Sequence, residues 1–201
     1  MSDIPSRRPT CPRCALPLRT CVCSLVTPVH NELDVLVLQH PDEVDQAKGS
    51  LRLLRLSLAR CRVAVGETFE PAALRELLGV DVSGSARLYP AERAAHATAA
   101  LPAAPPRRLV VLDGPWRKSL RMLCENPLLQ SLPRWSVAPS DAGRYGALRK
   151  APRRGQLSTL EATCAALAAI EGAPARYAPL LDAFGRFVAE RAANARPAPA
   201  P

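Results

Sequence analysis

Two groups of residues in this sequence have the types and spacing to do chemistry. Cys11, Cys14, Cys21 and Cys23 follow a C-x2-C-x6-C-x-C pattern and make up four of the chain's 7 cysteines. Thiolates gathered this closely can surround one tetrahedral ion, and a cytosolic chain would not keep them as disulfides. A structural zinc ion, Zn(2+), with no open coordination position is the expected use. Redox-active thiols are the competing use, because C-x-x-C also supports exchange chemistry. The second group is Asp113-Gly114-Pro115-Trp116, followed by the cations Arg117, Lys118 and Arg121. Ligands of open α/β sheets sit in the crevice beyond the carboxyl ends of the strands, where such an acid followed by a chain break would lie. A purely structural reading is also open, in which Asp113 caps the following helix and Trp116 is core.

The elements that must position these residues can be read from periodicity. Leu109–Leu112 is an apolar, β-branched run long enough for a buried strand, stopped by Gly114 and Pro115, with Pro115 suited to the opening turn of a helix reaching about Gln130. Leu33–Gln39 is a second strand, ended by His40-Pro41. Leu51–Ala59 places Leu51, Leu54 and Leu58 on one helical face. Cys61–Val65 is a short strand, Pro71–Leu78 a helix with Gly79 at its end, and Ala86–Tyr89 and Trp135–Ala138 are weaker strands. Ser158 and Glu161 have capping-box spacing and open a helix to Gly172. Tyr177, Leu180, Leu181, Phe184 and Val188 mark one face of a last helix. Strands alternate with helices, so the fold class is α/β with a parallel or mixed sheet. Residues 1–10 read as a flexible leader, 11–30 as the cysteine module, 31–194 as the main domain and 195–201 as a disordered tail. Cys61, Cys124 and Cys164 fall in apolar contexts and are expected in the core.

The 201-residue chain carries a formal charge of +9, which favours a polyanionic partner and says nothing about fold. Between Ala142 and Leu160 lie Arg144, Arg149, Lys150, Arg153 and Arg154 with Tyr145 among them and no acid. If the fold brings this loop to Arg117, Lys118 and Arg121, the crevice beside Asp113 is basic and suited to nucleic-acid phosphates. An ordinary solvated loop is the alternative. No stretch reads as a membrane span or signal peptide, so a cytoplasmic location is expected.

The ordered set of the cysteine module, Q-H-P at Gln39–Pro41, D-x-x-W at Asp113 and Trp116, Tyr145-x-x-x-Arg149-Lys150, and S-T-x-E-A from Ser158 to Ala162 resembles the DTW-domain family of tRNA-uridine aminocarboxypropyltransferases. The likeness runs from about Cys11 to Gly172. It implies a relation to SPOUT methyltransferases, an α/β sheet flanked by helices with a C-terminal trefoil knot that holds S-adenosyl-L-methionine. The implied reaction moves the 3-amino-3-carboxypropyl group of that donor to N3 of a tRNA uridine, with the variable loop as the implied position, and releases 5′-methylthioadenosine. Asp113 would act as base or hydrogen-bond acceptor, and Trp116 would stack on a base, lie over the sulfonium or fix the turn. Gln39, His40, Leu112, Gly114, Ser158, Thr159 and Glu161 are the implied donor-site residues. For Ser158, Thr159 and Glu161 a capping role competes, and both can hold; for Gln39 and His40 a structural role competes. Arg117, Lys118, Arg121, Tyr145, Arg149, Lys150, Arg153 and Arg154 would meet tRNA. One departure is visible: the family motif has Thr where this chain has Pro115, which removes a hydroxyl and an N–H donor.

Two other functions remain open on the sequence. A SPOUT-like RNA methyltransferase would release S-adenosylhomocysteine instead of 5′-methylthioadenosine. A noncatalytic zinc-containing RNA-binding protein would bind tRNA without consuming the donor. The sequence leaves the tRNA, the uridine and the oligomeric state undetermined.

Overall fold

The computed structural model describes residues 9–46, 49–79, 81–90, 104–137 and 157–194. The strands are β1 (Asp34–Gln39), β2 (Cys61–Val65), β3 (Ser85–Leu88), β4 (Arg108–Asp113) and β5 (Arg134–Trp135). The helices are α1 (Leu51–Ser57), α2 (Pro71–Leu78), α3 (Trp116–Glu125), α4 (Pro127–Ser131), α5 (Thr159–Glu171) and α6 (Pro174–Asn194). Successive strand residues point to opposite faces, and in β1 and β4 both faces are apolar. Val35, Val37, Leu109 and Val111 pack on one side with α1, α5 and α6. Leu36, Leu38 and Val110 pack on the other with α2, α3 and α4. A sheet buried on both faces reads as a continuous apolar run, which is why these two strands are the plainest in the sequence.

The sheet order is β2-β1-β4-β3-β5, and every pairing is parallel. From β1 the chain crosses to β2 on one side, whereas from β4 it crosses to β5 on the other. The carboxyl ends of β1 and β4 therefore flank a switch point, the place where a doubly covered sheet opens a crevice. Register puts Gln39 directly beside Asp113 there.

The cysteine module packs onto the α1/α5/α6 side, with Leu16, Val22 and Leu25 in the same core. Arg191 of α6 donates to Thr20 O (2.6 Å), and Arg52 of α1 donates to Cys14 O (2.6 Å). The corner between α5 and α6 is tied to the start of β1 by Glu171, which accepts from the N–H groups of Glu32 (2.9 Å) and Leu33 (3.0 Å).

Three expectations change. The helix after Pro115 does not run to Gln130: α3 ends at Glu125, because Pro127 forces Asn126 out of helical conformation, to φ −120 and ψ 86. Asn126 is buried and bonds Met122 O, Glu67 O and the Phe69 N–H instead. The last strand pairs only at Arg134 and Trp135, against Arg87 and Leu88, and Ala138 lies outside the described residues. Cys124 is exposed on α3 and Cys61 is half-buried; Cys164 is core as expected. Among the described residues no helix is long and apolar enough to cross a membrane.

Candidate functional site

The crevice is built from the residues that end four adjacent strands: Gln39 and His40, Gly66 and Glu67, Tyr89, and Asp113 and Gly114. Asp113 is the last residue of β4, and alternation turns it toward α5 with Leu109 and Val111. Its Oδ1 accepts from the Thr159 hydroxyl (2.7 Å) and its Oδ2 from Gln39 Nε2 (3.1 Å). Gln39 Nε2 also reaches Glu43 O (3.4 Å), while His40 N–H donates to Asp113 O (2.9 Å). Asp113 does not cap α3. That helix opens at Pro115 without a side-chain cap, Pro115 O taking the N–H groups of Lys118 and Ser119, and Ser119 Oγ closing on Gly114 O (3.1 Å).

Burial holds the Asp113 carboxyl above the ordinary carboxylate range, while the hydrogen bonds from Thr159 and Gln39 pull the other way. Desolvation also raises Glu43, followed by the charge of Asp113 itself. Two carboxyls thus share this corner, and the charge of Asp113 makes Glu43 more reluctant to ionise.

His40 is 6% exposed. Its Nδ1 accepts from Asp42 N–H (3.1 Å), so Nε2 carries the ring proton and faces Glu67 Oε1 at 3.5 Å. Glu67 in turn pairs with Arg121 (3.2 Å), which also holds Glu125 (2.7 Å), and Lys118 pairs with Asp42. The crevice beside α3 is therefore mixed in charge: two of the three cations expected to lie uncompensated there are matched by acids, and Arg117 is exposed. Glu43 and Glu67 were not among the sequence candidates. Their signal was position, since each follows the carboxyl end of a strand neighbouring the Asp113 corner.

Trp116 is half-buried, packed on the α2/α3/α4 core with its ring 5.2 Å from that of Tyr89. Leu112 lies on the same side. Ser158 and Glu161 form a complete capping box: Ser158 Oγ accepts from Glu161 N–H (3.2 Å), and Glu161 Oε2 accepts from Ser158 N–H (2.7 Å). Thr159, between them, donates the hydrogen bond to Asp113. Tyr145, Arg149, Lys150, Arg153 and Arg154 lie outside the described residues.

The four module cysteines are free thiols whose sulfurs all lie within 4.8 Å of one another, with Cys11–Cys23 and Cys14–Cys21 each at 3.7 Å. A tetrahedron of sulfurs about 2.3 Å from a central zinc has edges of about 3.8 Å. The cluster therefore has the size to hold a metal ion. Its protons are unevenly held: the Cys14 and Arg13 backbone N–H groups bring Cys11 down to about 6, and lost hydration with the neighbouring sulfurs pushes Cys23 up to about 12.

A doubly covered parallel sheet with an acid, an amide and a hydroxyl at its switch point defines an α/β protein whose candidate site lies beyond its strand ends. The DTW-domain model matches residues 8–192, and the chain belongs to that family. Two similar curated proteins are the tRNA-uridine aminocarboxypropyltransferase 2 of Macaca fascicularis and that of Mus musculus, each 30% identical over 172 residues. The alignments cover 82% of this chain, and the chain spans 57% of the length of those relatives. No solved structure matches.

Proposed function

We propose that this chain is a tRNA-uridine aminocarboxypropyltransferase, moving the 3-amino-3-carboxypropyl group of S-adenosyl-L-methionine to N3 of a tRNA uridine. The observation that carries the reading is Asp113, half-buried at the switch point of a DTW-family sheet and tied there by Gln39 and Thr159. The name borne by the two relatives supports the same activity. The donor supplies a sulfonium whose adjoining carbon is electrophilic. Attack by N3 forms the N–C bond, breaks the C–S bond and releases 5′-methylthioadenosine, while the N3 proton passes to a base. Asp113 is that base, because a carboxyl with a raised proton affinity takes a proton from a weak acid more readily than a surface carboxylate does. Thr159 and Gln39 each donate to one of its oxygens and so fix its orientation. Gln39, His40, Leu112, Gly114 and the α5 N-terminus form the donor side of the crevice, and Trp116 closes it.

The cysteine cluster holds a structural zinc ion in this reading, its four thiolates leaving no open position. Arg117 and the basic segment from Tyr145 to Arg154 contact the tRNA backbone. The SPOUT relation and its knot rest on the family resemblance, with the parallel doubly covered sheet in support. A cytoplasmic site of action fits a tRNA substrate and free thiols.

The deciding experiment mixes the purified protein with unmodified tRNA and S-adenosyl-L-methionine and identifies both products by mass spectrometry. Aminocarboxypropyluridine with 5′-methylthioadenosine is expected. A methylated nucleoside with S-adenosylhomocysteine would replace the reading by a methyltransferase, and tRNA binding without turnover by a noncatalytic binder. Asp113→Ala should lose transfer while keeping the fold and nearly all tRNA affinity; undiminished turnover would remove Asp113 from the chemistry.

A further inference from the structure

A guanidinium buried without an anion is costly, and the described residues contain one. Arg87, inside β3, is 1% exposed. Its Nη1 donates to Leu129 O (2.9 Å) and Gln130 O (2.6 Å) in α4, so one nitrogen serves both carbonyls. Among the described residues, Nε and Nη2 have no hydrogen-bond partner. Those two N–H groups share one edge of the guanidinium, the fork that grips two oxygens of a single oxyanion. Beside Arg87 in register stands Arg134 of β5, whose Nε and Nη1 are likewise buried without a partner among the described residues. Burial, and after it the Arg134 charge, push Arg87 below its ordinary range, as expected of a cation lacking its counter-charge. Arg87 also lines a recess of about 300 Å³ beside α3 and α4, whose other walls are Leu120, Leu123, Cys124 and Gln130.

We propose that this recess is a phosphate-binding site, in which the Nε–Nη2 edge of Arg87 takes two oxygens of a phosphate group and Arg134 supplies the second positive charge. Nη1 stays on the α4 carbonyls. Because the unpaired nitrogens are shielded from water, the entering anion displaces the exposed Gln130 side chain, tied to Cys124 O (2.9 Å). The site lies on the opposite face of the sheet from the Thr159–Asp113 contact and does not depend on the transferase reading. A nucleic-acid backbone and a small phosphorylated ligand offer the same chemistry.

Thermal melts of the metal-loaded full chain test the site first, inorganic phosphate being compared with chloride at matched ionic strength. Phosphate should raise Tm saturably by about 2–4 °C. Arg134→Ala should shrink that shift, and Arg87→Lys, which keeps the charge but not the fork, should abolish it. Equal melts of the unsubstituted protein in the two salts overturn the proposal, whether or not Arg87→Lys folds. Cys124 provides a local readout through N-ethylmaleimide alkylation mapped by peptide mass spectrometry. Inorganic phosphate at ten times its Kd should slow modification about tenfold. Protection by both phosphate and tRNA supports the site with backbone phosphate as the source, and protection by phosphate alone supports it with a small ligand. Unchanged alkylation under both overturns it.

Discussion

Asp113 is held where its carboxyl is least comfortable as an anion, and the two side chains that ease it come from distant parts of the chain. Its folded-state pKa lies above the ordinary value, so the fold prefers the protonated form. The sign follows: Asp113 lowers stability as pH rises from the ordinary carboxylate value through the raised one. The reaction runs the other way, because a base must be unprotonated. The acid limb of kcat should therefore fall at a higher pH than for a surface carboxylate. Thr159→Val deletes a hydrogen bond that favours the charged form, so it should move that limb upward. A pH–rate profile with the same acid limb in both proteins would separate Thr159 from the base. Cys124 illustrates the limit at this scale. Its apolar neighbours suggest core, but its position on α3 faces solvent, because a helix's buried stripe is narrower than its apolar stretch.

Helix α5 carries Thr159 as its first residue, so its capping box is also the support of the site. Ser158→Ala removes the acceptor for Glu161 N–H and should cost about 1 kcal/mol. Denaturant unfolding would measure that loss, and kcat should fall with it as the Thr159 hydroxyl loosens. At the other end, Gly172 has φ +63 with nothing within 4 Å of an added Cβ. Gly172→Ala should therefore cost about 1 kcal/mol through backbone conformation alone, with kcat unchanged. A kcat loss in this second variant would mean that the far end of α5 also matters to the crevice. The break at Asn126–Pro127 was written in the sequence as plainly as the capping box. A continuous helix to Gln130 follows only if apolar periodicity is weighed above proline's missing N–H.

Across the whole molecule, the cysteine cluster and the crevice are bridged by Arg52. Arg52 reaches Cys14 O with Nη1 and Val44 O (2.5 Å) with Nη2, bridging the cysteine module to the segment after His40. With the proposed zinc in the cluster, a chelator should lower Tm, since an ion held by four cysteines binds only the assembled site. It should also raise hydrogen exchange at 11–23 and, through Arg52, at 41–46. A chelator effect confined to the module would show that Arg52 carries no coupling. Charge behaves differently at this scale than along the chain. The net charge of +9 is real, yet Lys118 and Arg121 are answered by Asp42 and Glu67 from other parts of the chain and by Glu125 one turn along α3.

What the sequence determined by itself was local. Continuous apolar runs marked β1 and β4, Ser158 and Glu161 marked the start of α5, and four closely spaced cysteines marked a metal-sized cluster, because each signal is complete within a few residues. The family motifs likewise named Asp113, Trp116 and Thr159 without saying how they meet. Only the tertiary structure decided that Gln39 lies in register with Asp113, that Thr159 rather than Ser158 or Glu161 bonds it, and that Arg87 is buried with an edge unpartnered among the described residues. Those outcomes depend on which strand neighbours which and on which helix covers which face. Packing settles such choices between residues far apart in the chain, and no short stretch of sequence encodes them.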